Sequence, residues 1–141
     1  MKRELSAGGV IVRKKGREWH VLLVRDMNGN WTFPKGLVEK GEDTLTCAKR
    51  EIAEEVGMTN ITLLKSLTPI RYLYQRNGLI SKTVQYFLFT FDGNEVPTAQ
   101  TEEGISEVQW RPFNEAIKTI GYSKTNKKLL EETQDILQKR Q

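Results

Sequence analysis

Glu51, Glu54 and Glu55 follow one another at spacings of three and four inside Gly36 to Met58, GLVEKGEDTLTCAKREIAEEVGM, with Arg50 beside them and Gly57 just after. At about 100° per residue on a helix, positions i, i+3 and i+4 share a face. Three acids on one turn repel, and that repulsion destabilises the helix. A divalent cation removes the penalty, and oxygen-only ligands suit a hard ion such as Mg²⁺ or Mn²⁺. The competing reading is a solvated acidic face, the commoner fate of glutamate-rich helices.

The elements that must position these acids are legible around them. Leu45, Ala48, Ile52 and Val56 recur at spacings of three and four and give the helix an apolar stripe for a core. Glu51 and Glu55 border that stripe. Pro34-Lys35-Gly36 makes a turn, Gly41-Glu42-Asp43-Thr44 supplies capping side chains, and Gly57 suits the left-handed position that stops a helix.

The rest of the chain reads as one unit, residues 1–141, without repeats, low-complexity tracts or linkers. Leu5 to Val12 predicts a strand whose Gly8-Gly9 pair permits close backbone approach. His20 to Arg25 predicts a strand buried on both faces, and Trp31 to Pro34 a short strand leading to the turn. Ile61 to Ser66 begins an extended region. Arg71 to Tyr74 and Thr83 to Phe91 predict the arms of a hairpin around Arg76-Asn77-Gly78. Glu107 to Trp110 predicts a further strand. Pro112 and Asn114 then open a short helix, and Ser123 caps a final one with Leu129, Leu130, Ile136 and Leu137 on its apolar side. Strands in the middle with helices before and after indicate an α/β sandwich with a mixed sheet.

The 141 residues suit one domain with a sizeable core, and a net charge of +4 favours polyanions, which fits nucleotide phosphates and RNA alike. Cys47 stands alone, so it forms no internal disulfide and reads as a buried small hydrophobe. The start, MKREL, lacks the apolar run of a signal peptide, and no stretch approaches a membrane span. The expectation is a cytoplasmic protein, monomer or homodimer, with no membrane partner and no nucleic acid partner.

Gly36, Glu42, Arg50, Glu51, Ile52, Glu54, Glu55, Gly57 and Met58 together fill every fixed position of the pattern G-x5-E-x7-R-E-U-x-E-E-x-G-U, where U is apolar. In this the chain resembles the Nudix hydrolase superfamily, and the resemblance extends over nearly its whole length. It implies an α/β/α sandwich and metal-dependent hydrolysis of a nucleoside diphosphate linked to another moiety. Such chemistry must neutralise phosphate charge and make a water nucleophilic, and divalent metals do both.

By this resemblance Glu51 and Glu55 are metal ligands, with Glu54 close behind and the Lys35 backbone carbonyl a further candidate. Arg50 holds a glutamate in place through a charge-assisted hydrogen bond. The acid that activates water varies in the superfamily between a box glutamate and one on a later loop. Here Glu102 and Glu103 occupy such a loop, and Glu102 is favoured as metal ligand or base over an exposed turn acid.

Trp31 to Gly36, Ser6 to Val10, Arg71-Tyr72 and Lys82-Thr83-Val84 are similar to segments of bacterial diadenosine polyphosphate hydrolases. That similarity implies Lys35 and Lys82, and more weakly Arg71, as phosphate binders, and Tyr72 or Tyr74 as an adenine-stacking residue. The competing readings are a solvated edge charge for Lys82 and a buried strand face for Tyr72 and Tyr74. Trp31 and Phe33 read as core. The implied reaction is hydrolysis of diadenosine tetra- to hexaphosphate with release of ATP. The alternatives are oxidised dGTP or another (d)NTP, a 5′-triphosphorylated RNA, a diphosphoinositol polyphosphate, or a nucleotide-sensing module without activity. RNA-acting relatives usually carry glutamine where this chain has Lys35, and a sensing module would be expected to lose box acids that this chain keeps.

Overall fold

A computed structural model describes residues 1–140; Gln141, the last residue of the expected unit, lies outside the described residues. Among the described residues, eight strands form one mixed sheet, with helices on both faces. At its centre β1, Lys2–Lys15, runs parallel to β7, Leu79–Thr90, from the pairing of Lys2 with Ile80 to that of Val12 with Thr90. All other pairings are antiparallel.

The opposite edge of β1 is shared. Ser6 to Gly8 pair with β4, Lys35–Leu37, and Val12 to Lys15 pair with β2, Glu18–Arg25. On its other side β2 takes β8, Glu107–Pro112. The short β3, Trp31–Thr32, continues the β1 edge of β2. The segment expected as one strand is thus broken at Phe33-Pro34. Proline has no N–H for a ladder, and its carbonyl instead accepts from the Gly9 N–H at 3.1 Å.

The glycine pair makes this crossing fit. A Cβ on Gly8 would run into the Pro34 carbonyl and the Lys35 backbone, and one on Gly9 into Ile52 and Phe89. At the far edge of β7 lie β6, Ile70–Gln75, and β5, Thr62–Ser66. The β6–β7 hairpin turns where expected, with Asn77 at φ 52° and Gly78 at φ 120°.

Helix α1, Thr44–Val56, begins at Asp43, whose Oδ1 accepts from the Thr46 N–H at 2.7 Å, and stops at Gly57 with φ 71°. Its stripe of Ala48, Ile52 and Val56 packs on Ala7, Ile11, Phe87 and Phe89. Helices α2, Phe113–Thr119, and α3, Ser123–Lys139, cover the opposite face, where Leu129, Leu130 and Leu137 meet Val10, Val12, Leu23 and Leu88. β2 supplies both cores by alternation, Val21 and Leu23 to one and Leu22 and Val24 to the other. This is the α/β/α sandwich with a mixed sheet that the sequence implied. Ser123 does not cap α3: it is the first helical residue, and Tyr122 before it takes the capping position without a side-chain bond. No helix among the described residues is long and apolar enough to cross a membrane.

Candidate active site

Arg50 organises the acidic end of α1. Its Nε and Nη2 grip Glu42 at 2.7 and 3.0 Å, while Nη1 donates to Glu51 at 3.0 Å and to Glu54 at 3.1 Å. Nη2 also reaches the Leu37 carbonyl at 3.0 Å, tying the loop before α1 to the helix itself. The carboxyl of Glu42 is held down to about 2, first by the Arg50 donors and then by the Glu39 backbone. Arg50 is therefore a bracket that fixes carboxylates, as the sequence suggested.

Glu55 has no such partner. It is buried, 6% exposed, and its carboxyl is pushed well above the ordinary range by desolvation first, then by a hydrogen bond to Glu51 and the Glu51 charge. The nearby Lys35 charge acts in the opposite direction. Gly36 lies directly against Glu51: any Cβ there would occupy the space of the Glu51 carboxylate. The backbone at Gly36 therefore borders that carboxylate.

Two carboxylates pressed together, one of them buried, form a donor pair that suits a hard divalent cation. Among the described residues, no three His, Cys, Asp or Glu groups converge into a ready cage. Glu54 is more exposed, at 39%, and is drawn to Arg50. An ion such as Mg²⁺ is generally bound by one or two carboxylates together with waters and substrate phosphates, so a complete protein cage is not required.

The loop after β7 is stitched to the end of α1, with Thr98 N–H donating to Val56 and Gln100 N–H to Glu55 carbonyls at 2.9 and 3.1 Å. This brings the 3-10 turn Thr101–Glu103 to the site. It is Glu103, not the favoured Glu102, that lines the cavity and whose charge acts on Glu55. In a 3-10 turn adjacent side chains point about 120° apart, so only one acid of the pair faces inward. Sequence spacing carries no sign of which.

A cavity of about 670 Å³ adjoins the acids. Lys35, Glu55 and Glu103 mark its polar end, Phe33, Val84 and Tyr86 its apolar floor, and Tyr72 part of its rim. Phe33 and Tyr86 meet edge to face at 5.5 Å, and Trp31 is covered by Arg111 at 4.1 Å, so both residues of the Trp31–Phe33 segment serve packing. Within the floor, Asn126 donates to Thr32 at 3.2 Å and to the Gly121 carbonyl at 3.0 Å.

The other expected substrate residues stand apart from the cavity. Tyr74 donates to the nearly buried carboxylate of Glu4, which also accepts from Arg76 and lies 3.8 Å from Lys82 Nζ. Lys82 is thus already neutralised from β1, although it remains close enough to Lys35 for the two charges to interact. Arg71 alternates with Tyr72 along β6 and so leaves the opposite face of the hairpin. Nothing in the sequence pointed to Glu4, because its partners lie some seventy positions away. Cys47 is buried as expected, with its thiol pushed up to about 11 by desolvation.

A three-layer sandwich that carries Glu51, Glu54 and Glu55 on one helix, with Glu55 lining a cavity, has the form of a Nudix domain. The NUDIX domain model matches residues 2–133, and the chain belongs to this family. Nudix hydrolases generally use divalent metal ions. The chain is 32% identical, over 98% of its length, to a Mycobacterium tuberculosis relative bearing the name mutator protein MutT4, and it spans 57% of the length of that relative. It is 31% identical to an RNA pyrophosphohydrolase from Pelagibacter ubique over 74% of this chain and 73% of the other. Among solved structures it resembles a C. elegans Ap4A hydrolase in a binary complex, with a TM-score of 0.81 and 27% identity, over 95% of this chain and 97% of that one.

Proposed function

We propose that this chain, as one Nudix domain, hydrolyses diadenosine tetra- to hexaphosphate with release of ATP, in the presence of Mg²⁺ or Mn²⁺. The observation that carries this reading is one cavity joining an aromatic rim at Tyr72 to Lys35 and to Glu55, the partner of Glu51. A base and its phosphate chain need those two environments at opposite ends of one site. The overall similarity to an Ap4A hydrolase supports it.

In this reading Glu51, Glu55 and the Lys35 carbonyl hold the metal, with Glu54 or Glu103 completing the oxygen set. Once bound, such an ion neutralises phosphate charge and lowers the pKa of its water. Arg50 keeps Glu51 and Glu54 at fixed positions, so the acids need little rearrangement. The Lys35 ammonium neutralises the phosphates, and Glu103 offers a further carboxylate near Glu55 for orienting water. Tyr72 stacks on adenine.

A second reading, an RNA 5′-pyrophosphohydrolase, is favoured by the Pelagibacter relative. One experiment separates them. Diadenosine tetra-, penta- and hexaphosphate, oxidised dGTP, a 5′-triphosphorylated RNA and a diphosphoinositol polyphosphate are incubated with Mg²⁺ or Mn²⁺, and products are resolved by ion exchange. ATP release from the dinucleotides at the highest kcat/KM supports the proposal. Faster turnover of the RNA, or of any other member, overturns the substrate and leaves the family intact.

A further inference from the structure

Glu4 shares a face of the sheet with the floor of the cavity. Strand pairing sets Glu4 of β1 opposite Lys82 of β7, and Lys82 opposite Tyr72 of β6. By alternation Lys82 lies on the same face as Val84 and Tyr86, which line the cavity, while Tyr72 stands at its rim. The row Glu4, Lys82, Tyr72 therefore crosses the sheet just beyond the cavity.

The Glu4 side chain is 8% exposed, and a carboxylate this enclosed is costly unless donors or cations meet it. Among the described residues three do. Tyr74 and Arg76 donate to its two oxygens, and Lys82 Nζ lies 3.8 Å away. The Tyr74 bond first, with Arg76 and Lys82 after it, holds the carboxyl below its ordinary value against the opposing effect of burial. Glu4 is thus an anion at neutral pH.

Its neighbours are the cations that a polyphosphate would meet on leaving the cavity. Lys35 lines the polar end of the cavity, and its charge and that of Arg76 both act on Lys82. Lys35, Lys82 and Arg76 form a run that starts at the acids and ends at the hairpin turn, where the Arg76 N–H donates to the Gly78 carbonyl. Glu4 sits inside that run. At 3.8 Å it offers Lys82 charge without a hydrogen bond, so the ammonium donors are not spent on it.

We propose that Glu4 is a specificity-determining residue, a built-in anion that competes for Lys82 and Arg76 and so limits how far a polyphosphate chain extends beyond Lys35. The proposal rests on the polyphosphate reading above and adds a limit on chain length. Phosphates reaching past Lys35 meet cations whose charge is already partly answered, and they meet the repulsion of the carboxylate itself. A short chain held at Lys35 escapes both effects.

The test is equilibrium binding of inorganic pyrophosphate and inorganic tetrapolyphosphate to the full chain, by titration calorimetry in EDTA to prevent hydrolysis. Glu4→Gln removes the charge, is isosteric, and keeps an acceptor for Tyr74 or Arg76. It is expected to tighten tetrapolyphosphate binding about 5-fold and to leave pyrophosphate near its wild-type affinity. The gain should fade at high salt and disappear when Lys82→Met is added. Glu4→Asp, which keeps the charge, should show no gain. Weaker tetrapolyphosphate binding in Glu4→Gln marks Glu4 as a strut for the hairpin and overturns the proposal. Unchanged affinity, an equal gain for both ligands, or no tetrapolyphosphate binding by either protein also overturns it. Neither ligand carries a base, so failure of the dinucleotides as substrates would leave a positive result standing.

Discussion

The carboxyl of Glu55 is buried against that of Glu51, one helical turn away on α1, with no cationic side chain among the described residues bonded to it. Two acids this close and this poorly solvated disfavour the doubly charged state, a penalty that a bound cation would relieve. Glu55→Gln keeps the shape and the hydrogen-bonding capacity but cannot ionise to bind a cation. Turnover is expected to fall by about 10²–10⁴-fold, while the melting temperature of the metal-free protein stays level or rises. Steady-state kinetics and calorimetry on the same preparation check both halves; wild-type turnover removes Glu55 from the mechanism.

Metal removal follows from the same pair. EDTA should abolish hydrolysis, and added Mg²⁺ or Mn²⁺ should restore it. Because an ion that binds only the folded state stabilises it by mass action, the same ions should raise the melting temperature of the wild type. That rise should shrink in Glu55→Gln. An equal rise in both proteins would place the ion elsewhere.

Glu42 gives the pH dependence a sign. Its folded-state carboxyl sits at about 2, against an unperturbed 4.5, chiefly because Arg50 donates to it. A depressed carboxyl contributes stability that is fully present above its unfolded value and lost as pH falls through its folded one. Thermal melts between pH 6 and 2 should therefore show stability declining from about 4.5 downwards. Glu42→Gln should flatten that decline, lower stability at pH 7 and loosen the loop that Arg50 ties to Leu37. A wild-type slope in the variant would assign the acid sensitivity to other groups.

Gly8 tests the route by which the chain enters the site. Its missing side chain leaves room for the Pro34 carbonyl and the Lys35 backbone, neither of which can swing aside. Gly8→Ala should destabilise the protein by about 1–3 kcal/mol and lower turnover, since Lys35 and Gly36 are displaced together. Chemical denaturation measures the first effect. A stable, fully active variant would show that this crossing does not set the position of the acids.

The acids of α1, a capping stretch at Gly41 to Thr44, the stop at Gly57 and the burial of β2 on both faces were all legible in the sequence. Each is governed by neighbours within a few positions, where helical and strand periodicity fix who shares a face. The glycine pair belongs with them, since the need for close approach shows in the residue type itself. The α/β/α layering followed from the order of these elements and the Nudix-like box.

What the sequence left open depends on contacts between segments far apart in the chain. Whether Glu102 or Glu103 faces the cavity was decided by the hydrogen bonds that pin the loop to the end of α1. Arg71 was turned away and Tyr72 turned inward by the register of β6 on β7. Lys82 was claimed by Glu4 from a neighbouring strand, and Tyr122 was brought to the cavity by its bond to Asp26 across 96 positions. Periodicity tells which side chains share a face of one element. Only the packed sheet determines which elements share a cavity, because that depends on register and on long-range bonds that no local spacing encodes.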